Sequence, residues 1–164
     1  MFETISWRLM APTLLAVGLL TIGNARAAQI CGGAPKLVSE SMFNSVNAAR
    51  KTAGLPALKE DRKLARAAQE HACDMAKNGY FAHQDLKGRN VMKRVSAEGY
   101  RSCVAAENLG FGWRTVDQVM KDLMNSPHHR ENILRRSVKA IGIGYVPPSN
   151  GQGPWWVQVF ADPC

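Results

Sequence analysis

The stretch WWVQVFA, Trp155 to Ala161, decides how the rest of this chain is read. Successive strand side chains point to opposite faces. Trp155, Val157 and Val159 therefore face one way, and Trp156, Gln158 and Phe160 face the other. Both faces are largely apolar, so the strand is expected at the centre of a sheet with a layer packed on each side. An α+β chain with helices flanking a small sheet is the economical arrangement.

Outward from that strand, two further strands are expected at about Val104 to Phe111 and Ala140 to Val146. Helical periodicity precedes them. Leu37 to Ala53 carries Val38, Met42, Val46 and Ala49 on one face and runs into Gly54, with Pro56 beyond. Lys59 to Asn78 repeats the pattern with Leu64, Ala67, Ala68, Ala72, Met75 and Ala76, and stops at Gly79. Asn90 to Glu98 is a shorter helix before Gly99. Thr115 can cap another, whose buried stripe is Val116, Val119, Met120 and Leu123.

The first 27 residues read as an export signal: a short polar start with Arg8, an uncharged apolar run from Met10 to Gly23, and the small-x-small site Ala25-Arg26-Ala27. An uncleaved anchor is the alternative. Residues 28–164 then form one domain, expected to be a monomer with no membrane span once the signal is removed. The excess positive charge, +8 for the whole chain, is scattered (Arg62, Lys63, Arg66, Lys93, Arg94, Arg135, Arg136, Lys139). That suits a cationic surface drawn to anionic envelope polymers or lipid headgroups, and argues against nucleic acid. All four cysteines lie beyond the signal, and no zinc-type spacing such as CxxC occurs. Disulfides are expected. Of three connectivities, Cys31–Cys164, stapling the two ends, with Cys73–Cys103 inside the domain is preferred.

Three polar segments interrupt this pattern: YFAHQD with His83, AAENLGFG with Glu107 and NSPHHRENIL with His129. Together with the IGIGY and WWVQVF strands they fall in the order and spacing of the CAP superfamily, the cysteine-rich secretory, antigen 5 and pathogenesis-related proteins. The chain resembles its compact bacterial, SCP-like branch over about Val38 to Asp162. The resemblance implies a secreted three-layer α-β-α sandwich with a cleft where two histidines and two acidic side chains commonly meet. It assigns His83 and His129 as the two histidines and Glu107 as the acid of a GEN-type motif. That motif reads Ala106-Glu107-Asn108 here, and Ser126 stands where the second glutamate would be. A mechanism that needs two carboxylates is thereby put in doubt. The resemblance also implies lipid or sterol binding in some members.

Two imidazoles and one carboxylate, with a fourth position left to water, form a ligand set that suits Zn²⁺. His83, Glu107 and His129 are the candidate ligands, with Asp85 or Asn108 available to orient an imidazole from behind. The competing reading is a hydrogen-bonded polar cluster that orders loops around the cleft. Consecutive helical residues point about 100° apart, so His128 is expected in solvent. His71, near an apolar stripe, is expected to be packed. Arg130 and Asn132 are expected to bond backbone at the cleft rim. Ser126 and His129 are three apart and could share a helical face with Glu107 as orienter. Yet no GxSxG elbow surrounds Ser126, and Pro127 marks it as a helix cap. Metal-assisted extracellular hydrolysis is the enzymatic alternative. Against it stands a binding role, with Gly110, Gly112, Gly142 and Gly144 permitting close approach of a helix or a ligand. Trp113, Trp155 and Trp156 are the candidate groove walls for lipid, sterol or glycan.

Overall fold

In a computed structural model, which describes residues 31–149 and 151–164, nine elements succeed one another: α1 (Lys36–Thr52), β1 (Lys59–Glu60), α2 (Arg62–Asn78), α3 (Val91–Ala97), β2 (Ser102–Phe111), α4 (Val116–Asn125), α5 (Pro127–Ile133), β3 (Ala140–Val146) and β4 (Trp155–Pro163). The export signal read at residues 1–27 lies outside the described residues.

The four strands lie in the order β1-β3-β4-β2. β4 is antiparallel to both neighbours and β1 is parallel to β3. The strand read as central thus occupies the middle, and its alternation divides the core. Trp155, Val157, Val159 and Ala161 pack with Leu64, Ala68, Ala72 and Met75 of α2. Trp156 and Phe160 pack with Met42 and Val46 of α1 and Val119 and Leu123 of α4 on the other face. Helix, sheet and helix form the expected three layers.

The close approach that the β3 glycines permit is to a helix. A Cβ on Gly142 would run into the backbone of Leu64 and Ala65, and one on Gly144 into that of Ala68 and Gln69. The sheet surface at these two points is bare backbone, against which α2 lies. Trp155 and Trp156 are each 3% exposed, so both belong to the core rather than to a groove.

Two expectations are corrected. The second helix does not begin at Lys59. Lys59 and Glu60 pair with Ala140 and Ile141 instead, and Asp61 Oδ1 accepts from the backbone N–H groups of Lys63 (2.8 Å) and Leu64 (3.1 Å), starting α2 at Arg62. The side-chain cap fixes the start that periodicity alone placed three residues early. The disulfides are Cys31–Cys73 and Cys103–Cys164, with Cα separations of 5.6 and 5.0 Å, rather than Cys31–Cys164 and Cys73–Cys103. The sheet explains the difference. Antiparallel pairing sets Ser102 of β2 opposite Pro163 of β4, which brings Cys103 and Cys164 together at that edge. Cys31, ahead of α1, packs against the α2 side of the core, where Cys73 lies.

Candidate functional site

Glu107 sits in the middle of β2, paired with Val159 of β4, and is 6% exposed. A buried carboxylate is costly unless charges and donors meet it. Two cationic or potentially cationic side chains do. Arg94 Nη2 of α3 donates to Oε2 at 2.5 Å, and His83 Nδ1 bonds Oε1 at 2.9 Å. Arg94 is itself buried at 3%, and its Nη1 donates to the carbonyls of His83 and Arg89, both at 2.8 Å. One guanidinium therefore holds the carboxylate and also the loop that carries His83.

The bond to His83 sets what that ring offers. Glu107, held by Arg94 at Oε2, accepts at Oε1, so Nδ1 of His83 donates and Nε2 is the ring nitrogen left without a partner among the described residues. The His83 side chain is 61% exposed. His129, in α5, is half-buried, and burial lowers its pKa below the usual histidine value, with the charges of His83 and His128 pushing the same way. Adjacent residues of β2 hold the two histidines, Glu107 through the His83 ring and Asn108 through the His129 carbonyl. His128 is exposed, as expected.

Beneath His83, His71 is 1% exposed. Its Nε2 donates to the Ala82 carbonyl at 2.9 Å and lies 4.0 Å from Glu107 Oε1. Burial depresses its pKa, against an upward pull from Glu107. Its Nδ1 is buried without a partner. Packing was the expectation for this residue, and it is packed.

The second half of the GEN-type motif ties the sheet to α5. Asn108 Nδ2 donates to the His129 carbonyl (3.0 Å) and to Gln158 Oε1 (3.1 Å). Asn132 Nδ2 donates to the Glu107 carbonyl (3.2 Å) and to Asn108 Oδ1 (3.0 Å). Asn132 thus has its expected backbone bond, while Arg130 is exposed. Neither residue offered as an imidazole orienter plays that part. Asp85 accepts from Lys87 N, Arg89 N and Arg89 Nε, and Asn108 meets the backbone of His129 rather than its ring. Glu107 is the orienter.

Ser126 takes the backbone position ahead of α5 with Pro127 as first helical residue, but its hydroxyl makes no capping bond. Among the described residues no group of three His, Cys, Asp or Glu side chains is gathered as a metal ion requires. The donor chemistry gives the reason at Glu107, since Arg94 and His83 engage its two oxygens. Those residues do not fit a three-ligand ion with Glu107 in the inner sphere; the two imidazoles alone retain free ring nitrogens.

Arg94 was missed by the sequence reading, which counted it among scattered surface cations. The signal was there, because Val91, Arg94 and Val95 share one face of α3 and Val95 is fully buried. Phe81 and Phe111 were missed as well. They are 50% and 43% exposed, with ring centroids 5.8 Å apart, and give the loop of His83 an apolar flank.

With this geometry in place, the family model for the cysteine-rich secretory protein family, CAP, matches residues 43–160. The uncharacterised protein YkwD of Bacillus subtilis is 34% identical over 130 residues, which is 77% of this chain. The chain spans 49% of that relative's length. An outer surface protein of Borrelia burgdorferi superposes with a TM-score of 0.69 at 22% identity, covering 76% of this chain and 92% of the other. An extracellular protein containing an SCP domain from Bacillus anthracis also reaches 0.69, at 24% identity over 76% of this chain and 40% of its own. Both structures show the shared fold.

Proposed function

The chain belongs to the CAP family of cysteine-rich secretory proteins, and from that premise we propose that it is an exported bacterial binding protein. Its cleft takes a hydroxyl-bearing ligand of the cell envelope, a lipid, sterol or glycan, on His83 and His129. The engagement of both Glu107 oxygens by Arg94 and His83 carries this reading. A general base must be free to take a proton in the productive pose, and this carboxylate is committed to holding a ring. The unpartnered Nε2 of His83 suits a hydroxyl donor, and the Phe81–Phe111 pair suits the apolar face of a lipid or a sugar. Export is supported by the two disulfides and by the extracellular and outer-surface relatives. No helix of the described residues is long and apolar enough to cross a membrane. The cationic surface favours residence near anionic envelope polymers.

A second reading has its own observation. A carboxylate behind the Nδ1 of an imidazole is the usual arrangement behind a metal-bound histidine. His83 Nε2 and His129 would hold a divalent ion such as Zn²⁺, with the remaining positions left to water or ligand. Such an ion would supply Lewis acidity, the basis of the metal-assisted hydrolase alternative. In either case Glu107 orients and does not ligate.

Co-sedimentation of the purified protein with envelope fractions and lipid vesicles, beside a peptide-cleavage assay, separates these readings. Retention lost in a folded His83→Ala, His129→Ala double variant, with no cleavage by either form, is the expected result. Metal-dependent cleavage that disappears in the variant would replace binding with hydrolysis. Equal retention of both forms would move the ligand off the cleft.

A further inference from the structure

Away from the His83 cleft, a cavity of about 630 Å³ opens where β3 begins and β4 ends. One of its walls is Arg50, in the last turn of α1, which is 1% exposed. The position continues the Met42–Val46 stripe by one further step of four, where a core helix ordinarily places an apolar residue. Nε of Arg50 donates to the Pro56 carbonyl at 3.0 Å, and Nη1 to the carbonyls of Ile133 (2.8 Å) and Arg135 (3.0 Å). These three bonds tie the ends of α1 and α5 together and use three of the five guanidinium N–H groups. The Nη2 edge donates to none of the described residues, and no carboxylate among them pairs with Arg50. Burial alone depresses its pKa, with no neighbouring carboxylate pulling the other way. A buried cation without a counter-ion is among the costlier features a fold can keep.

The rest of the wall carries charges of both signs. Arg136 and Lys59 also line the cavity, and neither has an ion-pair partner among the described residues. Lys139 pairs with Asp162 at 2.9 Å, and Asp61 caps α2 through Oδ1, so its carboxylate still contributes negative charge on the Tyr100 side of the wall. Glu60, exposed on β1, is the second carboxylate of the wall, which leaves the buried Arg50 and the Arg136 beside it as the cations without a paired carboxylate at their end. Between these groups Pro56, Val138 and Tyr100 present apolar and aromatic surface. The volume falls within the roughly 300–1,000 Å³ of small-molecule sites, which are mostly apolar with a few placed polar groups.

We propose that this cavity is a second binding site, taking a small organic acid with an apolar body. Its carboxylate meets the free edge of Arg50 and the Arg136 guanidinium, and its body lies against Tyr100 and Val138. A carboxylate there supplies the counter-charge that the fold withholds from Arg50, in the planar form a guanidinium binds best. Free phosphate would satisfy the charge and leave the apolar wall unused.

Calorimetric titration of naphthoate into the purified protein, with uncharged naphthylmethanol as its counterpart, tests the site. Replacing Arg50 would free three carbonyls and endanger folding, so the variants are Arg136→Gln and Ala57→Trp; Ala57 is an exposed lining residue whose replacement fills the cavity from outside. Saturable one-to-one binding of naphthoate is expected, with naphthylmethanol about ten-fold weaker, the equivalent of ~1.4 kcal/mol. Arg136→Gln should weaken naphthoate by a similar factor, and Ala57→Trp should abolish binding with the thermal transition unchanged. Binding should survive intact in the His83→Ala, His129→Ala variant, which separates this site from the cleft. Absence of saturable binding, equal binding of the alcohol, indifference to Ala57→Trp, or loss in the histidine variant would each overturn the proposal.

Discussion

Glu107, Arg94 and His83 behave as one unit. Taking one partner from a buried ion pair strands the other charge, at a cost of about 3–5 kcal/mol. Arg94→Met should therefore lower the free energy of unfolding by that order, read from urea transitions. Adding Glu107→Gln should recover part of the loss, because it removes the stranded charge. A double variant as damaged as the sum of two singles would contradict the coupling. Acid should act on the histidines behind and beside this pair. Burial lowers both His71 and His129 from 6.5 in the folded protein. The unfolded chain then binds protons first as pH falls, so their contribution is whole above about pH 6.5 and is lost through the lowered folded values. Urea midpoints should fall as pH drops below that point, and His129→Asn should flatten part of the slope. A midpoint that rises over the same acid window would reverse the assignment.

The elements show why some of this was legible in the sequence. Alternation in WWVQVFA placed β4, its centrality and its two apolar faces, because a strand covered on both sides has few other sequences available. Glycine spacing in IGIGY signalled close approach without naming the visitor, and the structure supplies α2. Gly144→Ala should accordingly cost at least about 1–3 kcal/mol, as overpacking does. An unchanged thermal midpoint would mean that the helix can retreat freely. Other features were hidden by the assumption that charge lies outside. Arg50 and Arg94 continue apolar stripes of their helices and are buried, yet Arg94 was counted among the scattered surface cations and Arg50 was given no place. The boundary at Lys59 was lost for a different reason: β1 exists only through its pairing with β3, a contact between distant residues that local periodicity cannot carry. Motif order singled out His83 and Glu107, which the structure joins by a hydrogen bond, while the arginine that fixes Glu107 was not legible.

At the scale of the whole molecule, one disulfide closes a sheet edge between β2 and the residue after β4, and the other ties Cys31, ahead of α1, to α2. Cys103–Cys164 closes a loop of 61 residues, for which chain entropy gives a stabilisation of about 4 kcal/mol. A Cys103→Ser, Cys164→Ser variant should lose stability of that order in denaturant titration; a loss below about 1 kcal/mol would contradict the estimate. The cleft and the Arg50 cavity share this frame and are otherwise built from different residues. What joins fold to function is the claim that a buried Arg94–Glu107 pair fixes the ring that His83 offers to the cleft. Nitrogen NMR of the histidine rings at neutral pH tests it most directly. The account predicts that the neutral form of His83 carries its hydrogen on Nδ1, and that Arg94→Met, if folded, lets the two tautomers mix. A His83 ring protonated on Nε2 in the unaltered protein would contradict it.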